Sequence, residues 1–401
     1  MYLRHSIFYF FYFAALGVLV PYWAVYLQGR GFSAVEIGEL IAITMATKVV
    51  APVLWGWAAD LRGQRLMVVR SAVLLATIVF AGVFLGDGYW WLVLVMAVFS
   101  FFWNAALPQF EAITMSRLGS EVHRYSSIRL WGSVGFVVTA AGFGLVLDHY
   151  GASQVPIALF MLFAAVCLSV LFVSVDSKAM LASKSAAEEE RQSLWSLLKR
   201  RRIAALLAVC FLMQLSHGPY YSFFSIHLDN HGYPRWLVGQ LWALGVVAEI
   251  VAFLVMRRLY QRFSARDLLL ASLALTSLRW VLIALFTTRL SVIVFAQLLH
   301  AASFGVYHAI VIALIHESFQ GRHQGRGQAL YSSISFGAGG AIGSLYAGYL
   351  WDSAGATPTF LFAALASAAA FVIALRSEVG VAERRSAGAS GAQERLFDDR
   401  Q

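Results

Sequence analysis

Twelve apolar runs, most of them about 20 residues long, recur along this 401-residue chain, and they decide its solvent before any motif is considered. About 20 consecutive apolar residues are what an α-helix needs to cross the hydrocarbon core of a bilayer. The runs are 6–27, 37–59, 67–86, 90–114, 129–147, 155–175, 203–228, 237–256, 267–287, 290–315, 326–350 and 357–375. A transmembrane barrel would show segments of roughly ten residues alternating in polarity, and no such stretch is present. Composition matters at one point: 60% hydrophobic and 13% charged residues exclude an ordinary soluble globular domain. The expected fold class is therefore an all-α polytopic membrane protein, with six helices on each side of a polar middle.

The first run has no small-residue cleavage site behind it and continues into Pro21, Tyr22 and Trp23, so it reads as a retained helix and not a signal peptide. Lys and Arg collect in short loops that stay cytoplasmic. Here 25 of the 30 basic residues fall in one alternate set of connections, and Arg30, Arg235 and Arg289 make up the other. Both termini are expected in the cytoplasm, with the chain in the inner membrane. The net charge of +9 is then topological, with attraction to anionic headgroups, and gives no argument for nucleic acid. The expected organisation is an amino-terminal half, 1–176, a cytoplasmic linker, 177–202, ending in a short amphipathic helix, a carboxy-terminal half, 203–376, and a disordered tail, 377–401. Cys167 and Cys210 lie in apolar runs and supply neither a disulfide framework nor a metal site.

The two halves repeat one another. At an offset of 201 residues Gly17 matches Gly218, Leu27 matches Leu228, Gly31-Phe32 matches Gly232-Tyr233, and Gly38 matches Gly239. At 204, Gly135, Gly144, Asp148 and Gly151 match Gly339, Gly348, Asp352 and Gly355. Parallel six-helix repeats describe transporters whose halves rock around a site near the bilayer midplane.

The loop between the second and third runs reads Gly56-Trp57-Ala58-Ala59-Asp60-Leu61-Arg62-Gly63-Gln64-Arg65. It resembles the signature of the major facilitator superfamily, Gly-x-x-x-Asp-(Arg/Lys)-x-Gly-(Arg)-(Arg/Lys), and departs from it at Leu61 and Gln64. The resemblance implies a cytoplasmic gate made of Gly56, Asp60, Arg62, Gly63 and Arg65. Gly56 would let helices approach, Asp60 would cap or salt-bridge a neighbouring helix end, and the arginines would stay at the surface.

An ionisable group at the bilayer centre costs roughly 2.5 to 3.5 kcal/mol on the mildest scale and is a functional candidate by default. Lys48, Glu111, Arg129, His217, Glu249, Arg279, and His300 with His308 qualify. Asn104 to Ala112, with Arg129-Leu130-Trp131-Gly132-Ser133-Val134-Gly135-Phe136, resembles the lactose permease family. So do the aromatic run Phe8 to Phe13, Ser277-Leu278-Arg279, and His300. That resemblance implies that Glu111 and Arg129 bind substrate and that Phe136 stands where the family has its aromatic sugar platform. Ser303 stands where the family has a proton-carrying Glu, a departure that speaks against sugar. A closer likeness is to the 3-phenylpropionate permease branch, carried by Arg129 to Val134, His217 with Tyr220-Tyr221, Leu244 to Glu249, Ser264 to Asp267, and His300 with His308.

Each of these residues also has a structural reading. Glu111 and Arg129 admit a purely interhelical pair, and Arg129 admits a place in the basic loop. Lys48 and Glu249 are repeat mates, open to a pair across the halves or to a coupling role. His300 and His308, eight apart, share a helical face. The glycines from Gly337 to Gly343 lack G-x-G-x-x-G spacing and read as helix packing through Gly339 and Gly343. Without a Walker motif, no nucleotide or cofactor is expected, and without a nucleophile pattern, no enzyme.

The reading is a monomeric secondary transporter importing a small organic solute with protons. Glu111, Arg129, Phe136, His217 and Tyr221 are taken for substrate, and Glu249, Arg279, His300, His308 and Lys48 for coupling. An aromatic carboxylate fits first. A sugar or nucleoside symporter, a drug-efflux carrier, and a transporter-like sensor or scramblase stand as alternatives. The topology makes the first prediction. Cysteines at 30, 235 and 289 should react with an impermeant thiol reagent added outside cells, and those at 64, 190 and 390 should not; the reverse pattern sinks the orientation.

Overall fold

A computed structural model describes residues 2–174, 200–319, 324–377 and 379–380, with the backbone alone for Arg62, Ser120, Val122 and His123. Most of the linker 177–202 with its expected amphipathic helix, and most of the tail 377–401, lie outside the described residues. The helices are α1 (Tyr2–Gly29), α2 (Ala34–Arg62), α3 (Arg65–Phe80), α4 (Tyr89–Leu118), α5 (Tyr125–Tyr150), α6 (Gln154–Leu171), α7 (Arg201–Asn230), α8 (Arg235–Arg262), α9 (Ala265–Leu285), α10 (Leu290–Ser318), α11 and α12 (Ala356–Arg376). The eleventh runs as three segments, Gln324–Ser332, Ser333–Gly339 and Gly340–Ala354.

Eleven of these helices are long and apolar enough to cross a membrane. The departure is α11, where Ser and Gly dilute the apolar run and a π segment over Ser333–Gly339 divides it. A second π segment, Ala301–Val306, interrupts α10. In α7 the helix breaks at His217, just before Gly218-Pro219, because a proline removes a donor and disfavours helix in the residue preceding it. The helix α5 begins at Tyr125, earlier than the apolar run suggests, so Arg129 lies inside a helix and not in the basic loop.

Helices α1–α6 pack around an aromatic core in which Phe8 stacks on Phe110 and Tyr12 on Trp103, with ring centroids 3.6 and 4.2 Å apart. Helices α7–α12 form the second bundle, with α9 and α7 against α12 and with α8 and α9 against the π segment of α10. The stretch Gly337–Gly343 packs α11 on α7: a Cβ on Gly343 would lie 2.8 Å from Leu215 O, and one on Gly218 would lie 2.2 Å from Gly343 C.

The halves meet along two crossings, α2 with α11 and α5 with α8. Their close approach is made by the repeated glycines. A Cβ on Gly38 would stand 2.8 Å from Gly348 Cα, one on Gly239 2.2 Å from Ala140 O, and one on Gly144 2.4 Å from Arg235 O. Hydrogen bonds join the halves at this end. Asp148 accepts from the backbone N–H groups of Arg235 and Trp236 at 2.9 and 3.0 Å, and Tyr349 donates to Glu39 at 2.7 Å.

The two crossings start differently. The helix α2 caps itself through Ser33 and Glu36, whereas the N-cap of α8 is Pro234, which has no side-chain acceptor, so Asp148 of the other half does that work. This end, with the loops holding Arg30, Arg235 and Arg289, is therefore sealed.

Overpacking a tight contact costs roughly 1 to 3 kcal/mol, and the sealed arrangement should feel it directly. With Gly144→Val and Gly348→Val together, spin labels at Tyr150 and Thr288 should gain a longer-distance population. Asp148→Ala should shift it in the same direction by less. An unchanged distance distribution would show that neither the glycines nor the cap holds this end shut.

Candidate substrate and coupling site

Two clusters of charge stand below the seal, one in each half. In the first, Arg129 Nε lies 3.9 Å from Glu111 Oε1, and Tyr125 donates to the same carboxylate oxygen at 3.2 Å. The Arg129 guanidinium sits over the Phe13 ring at 3.8 Å, with Tyr9 further off at 5.7 Å. Gly132, one turn along α5, makes this possible, since a Cβ there would fall 2.8 Å from both Arg129 Nη1 and the Phe13 ring. The side chains of Arg129 and Glu111 keep 31% and 37% of their area exposed, and Arg129 lies one turn into α5 from the basic loop.

The second cluster is dry. Arg279 is fully buried and directs its guanidinium to neutral acceptors: His300 Nδ1 at 2.9 Å, Ser303 Oγ at 2.9 Å and Gln297 Oε1 at 2.7 Å. It also lies over the Tyr220 ring at 4.2 Å, whose hydroxyl takes a bond from Gln297 at 3.3 Å. A guanidinium only donates, so His300 must accept at Nδ1 and carry its proton on Nε2. That nitrogen faces Glu249 Oε2 at 3.8 Å. The backbone helps: Gly245 lets α8 reach the His300 ring, and Gly305, inside the π segment, lies against Glu249. Glu249 thus stands beside the His300–Arg279 pair, facing the free N–H of His300 from beyond hydrogen-bond distance.

The other expected residues sort by contact. His308 bonds the Tyr331 hydroxyl at 3.0 Å, and Phe304 stacks between His300 and His308 with centroids 5.6 and 5.5 Å away. His217 donates from Nδ1 to Met213 O at 2.8 Å and lies edge-on to Trp280 and stacked on Tyr221; its Nε2 is buried with no partner. Phe136 and Tyr221 are half-buried beside the core of the second half.

One of the two structural readings of the repeat mates is corrected. Lys48 and Glu249 do not pair: the Lys48 ammonium meets Met45 Sδ at 3.2 Å, while Glu249 turns to His300. Asp60, in the last turn of α2, pairs with Arg65, the first residue of α3, at 2.8 Å, because the left-handed turn at Gly63 brings that helix start back beside it. Gly56 is close to Gln109 of α4, and the Arg62 side chain lies outside the described residues.

Residues 2–362 match the MFS_1 like family. The chain belongs to that family, within the major facilitator superfamily. It is 31% identical to the probable 3-phenylpropionic acid transporter of Escherichia coli (strain K12) over 91% of this chain and 95% of that one. It is 26% identical to the maltose permease of Geobacillus stearothermophilus over 86% of each. The crystal structure of the nucleoside transporter NupG superposes with a TM-score of 0.79 at 18% identity, covering 94% of this chain and 99% of that one. The protein is a multi-pass membrane transporter and not an enzyme.

The contacts bring in residues that the sequence alone passes over. Gln297 stands one turn before His300 in an otherwise apolar stretch, a polar spacing that could have marked it. Tyr125 sits at the start of α5, outside the apolar run, where nothing marks it as a partner of Glu111. A lysine has no planar fork to hold three acceptors at once, so Arg279→Lys should leave Gln297 or Ser303 unpaired. Losing a partner from a buried charged network costs roughly 3 kcal/mol or more. Thermal unfolding followed by Trp fluorescence should show a melting point several degrees lower; an unchanged one would mean the network contributes no stability.

Proposed function

We propose that this chain is a proton-coupled symporter that imports an aromatic monocarboxylate, such as 3-phenylpropionate, by alternating access. The observation that carries the reading is the cluster of Glu249, His300 and Arg279, a carboxylate that can exchange protons beside a histidine whose other nitrogen is occupied by a fixed cation. With Nδ1 committed to Arg279, His300 cannot take a second proton without breaking that bond, so Glu249 is the group left to load and unload. Arg129 stands on the other half, so its distance from Glu249 changes as the halves rock, and the grip of Glu249 on its proton changes with it.

The aromatic acid is supported by the likeness to the 3-phenylpropionic acid transporter and by charge. Within the membrane-spanning helices, the candidate cations Lys48, Arg129 and Arg279 outnumber the candidate carboxylates Glu111 and Glu249, an imbalance that an anion completes. Tyr9, Phe13, Phe136 and Tyr221 offer apolar surface for a ring. In the inner membrane with both termini cytoplasmic, the sealed end faces outward and access to the site is from the inside. One chain contains both halves of the cavity, so a monomer suffices.

Proteoliposomes with an imposed inward proton gradient should accumulate labelled 3-phenylpropionate. Glu249→Gln mimics the protonated state; it should abolish accumulation and leave solute exchange largely intact. Accumulation that survives in this variant moves the proton site elsewhere. Gradient-driven uptake of maltose or uridine in place of the acid would replace the substrate class.

A further inference from the structure

Lys48 stands at the middle of α2 (Ala34–Arg62), where a charge has least access to water. Ala46, Val50, Val53 and Trp57 form the exposed stripe of this helix. Lys48 is two residues, or roughly 200° of turn, from both Ala46 and Val50, and so lies on the opposite face. To one side of it, Thr44 O and Thr47 Oγ1 accept from Asn104 of α4 at 2.9 and 2.8 Å. To the other, Met45 and Val49 pack on Gly340 and Gly337 of α11. The side chain leaves the helix between these contacts, toward the space between the halves and away from lipid.

Its repeat mate has the same placement. Glu249 is two residues from the exposed Val247 and Val251 and faces His300. The two mates differ in what they meet. Arg129 has Glu111 within ion-pair reach, and Arg279 donates from its two Nη atoms to three neutral acceptors. Among the described residues, Lys48 has no carboxylate within ion-pair distance and touches only a thioether. An intramembrane cation is expected to have either a counterion or a set of strong acceptors around it, and the described contacts give Lys48 neither.

We propose that Lys48 is the anion-binding residue of the cavity and that its counterion is the carboxylate of the transported solute. The inference rests on the carboxylate symport argued above and assigns the cation that reads the charge, with Arg129 and Glu111 left to orient the solute. An inorganic anion shares this chemistry, so the test separates the two sources.

Affinities of the purified full-length protein for 3-phenylpropionate and for its uncharged amide are measured by calorimetry, with and without chloride. Wild type should prefer the acid by about tenfold or more, the usual range for a charge-assisted hydrogen bond. Lys48→Met breaks no ion pair and should bring the acid down to the level of the amide, leaving amide affinity within about twofold. Lys48→Arg should restore much of the preference. Lys48→Met with the acid preference intact overturns the assignment while the symport reading stands. A variant that loses only chloride sensitivity also overturns it, placing an inorganic anion at Lys48. A wild type that binds neither this acid nor benzoate overturns both the assignment and the reading on which it rests.

Discussion

A charge carried to the middle of a bilayer must find a partner or be paid for by the rest of the fold, and this molecule answers that demand differently at each position. Glu111 and Arg129 answer each other across α4 and α5, with Phe13 beneath the guanidinium. Arg279 is held by a histidine, a serine and a glutamine, so its charge is spread over dipoles and no carboxylate is consumed. That choice leaves Glu249 uncommitted, facing only the far nitrogen of His300. A chemically available carboxylate inside the membrane follows from the way its neighbouring arginine is satisfied.

The same helices must also slide, and the repeat shows how the sequence meets both needs. Gly38 and Gly348 bring α2 against α11, and Gly144 and Gly239 bring α5 against α8. At α2 and α11 backbone meets backbone, and at α5 and α8 the Tyr22 hydroxyl, bonded to Ala140 O, reaches in beside the glycines, so few side chains have to unlock when the surfaces part. At the equivalent midpoints the duplicated scaffold carries unlike groups, Lys48 and Glu249. Geometry was kept between the halves while chemistry diverged, which a protein needs if one half is to read a solute and the other to handle protons.

The existence of nearly every helix was legible in the sequence, because the bilayer imposes a length that apolar runs record. The breaks were less so. Pro219 marks the interruption at His217, but the π segments at Ala301–Val306 and Ser333–Gly339 depend on what packs beside them. At the site, single ionisable residues were legible by their cost, and their partners were not. Gln297 and Tyr125 are uncharged, and the pairing of Asp60 with Arg65 depends on how the loop turns. The offset of 201 residues identified Lys48 and Glu249 as equivalent and suggested a contact. Equivalence under a two-fold repeat axis puts residues on opposite flanks of that axis, so symmetry in sequence does not imply proximity.

The cap on α8 has a consequence for how motion is felt along the chain. Two backbone amides, those of Arg235 and Trp236, are satisfied by a carboxylate that belongs to the other half. Whenever the halves separate at this end, those amides must turn to water, while the first turn of α2 keeps the cap encoded in its own sequence. Opening is thus coupled to fraying of one helix start and not of its twin. Deuterium uptake at the first residues of α8 would count excursions of the transporter without any label, with the matching turn of α2 as its internal clock.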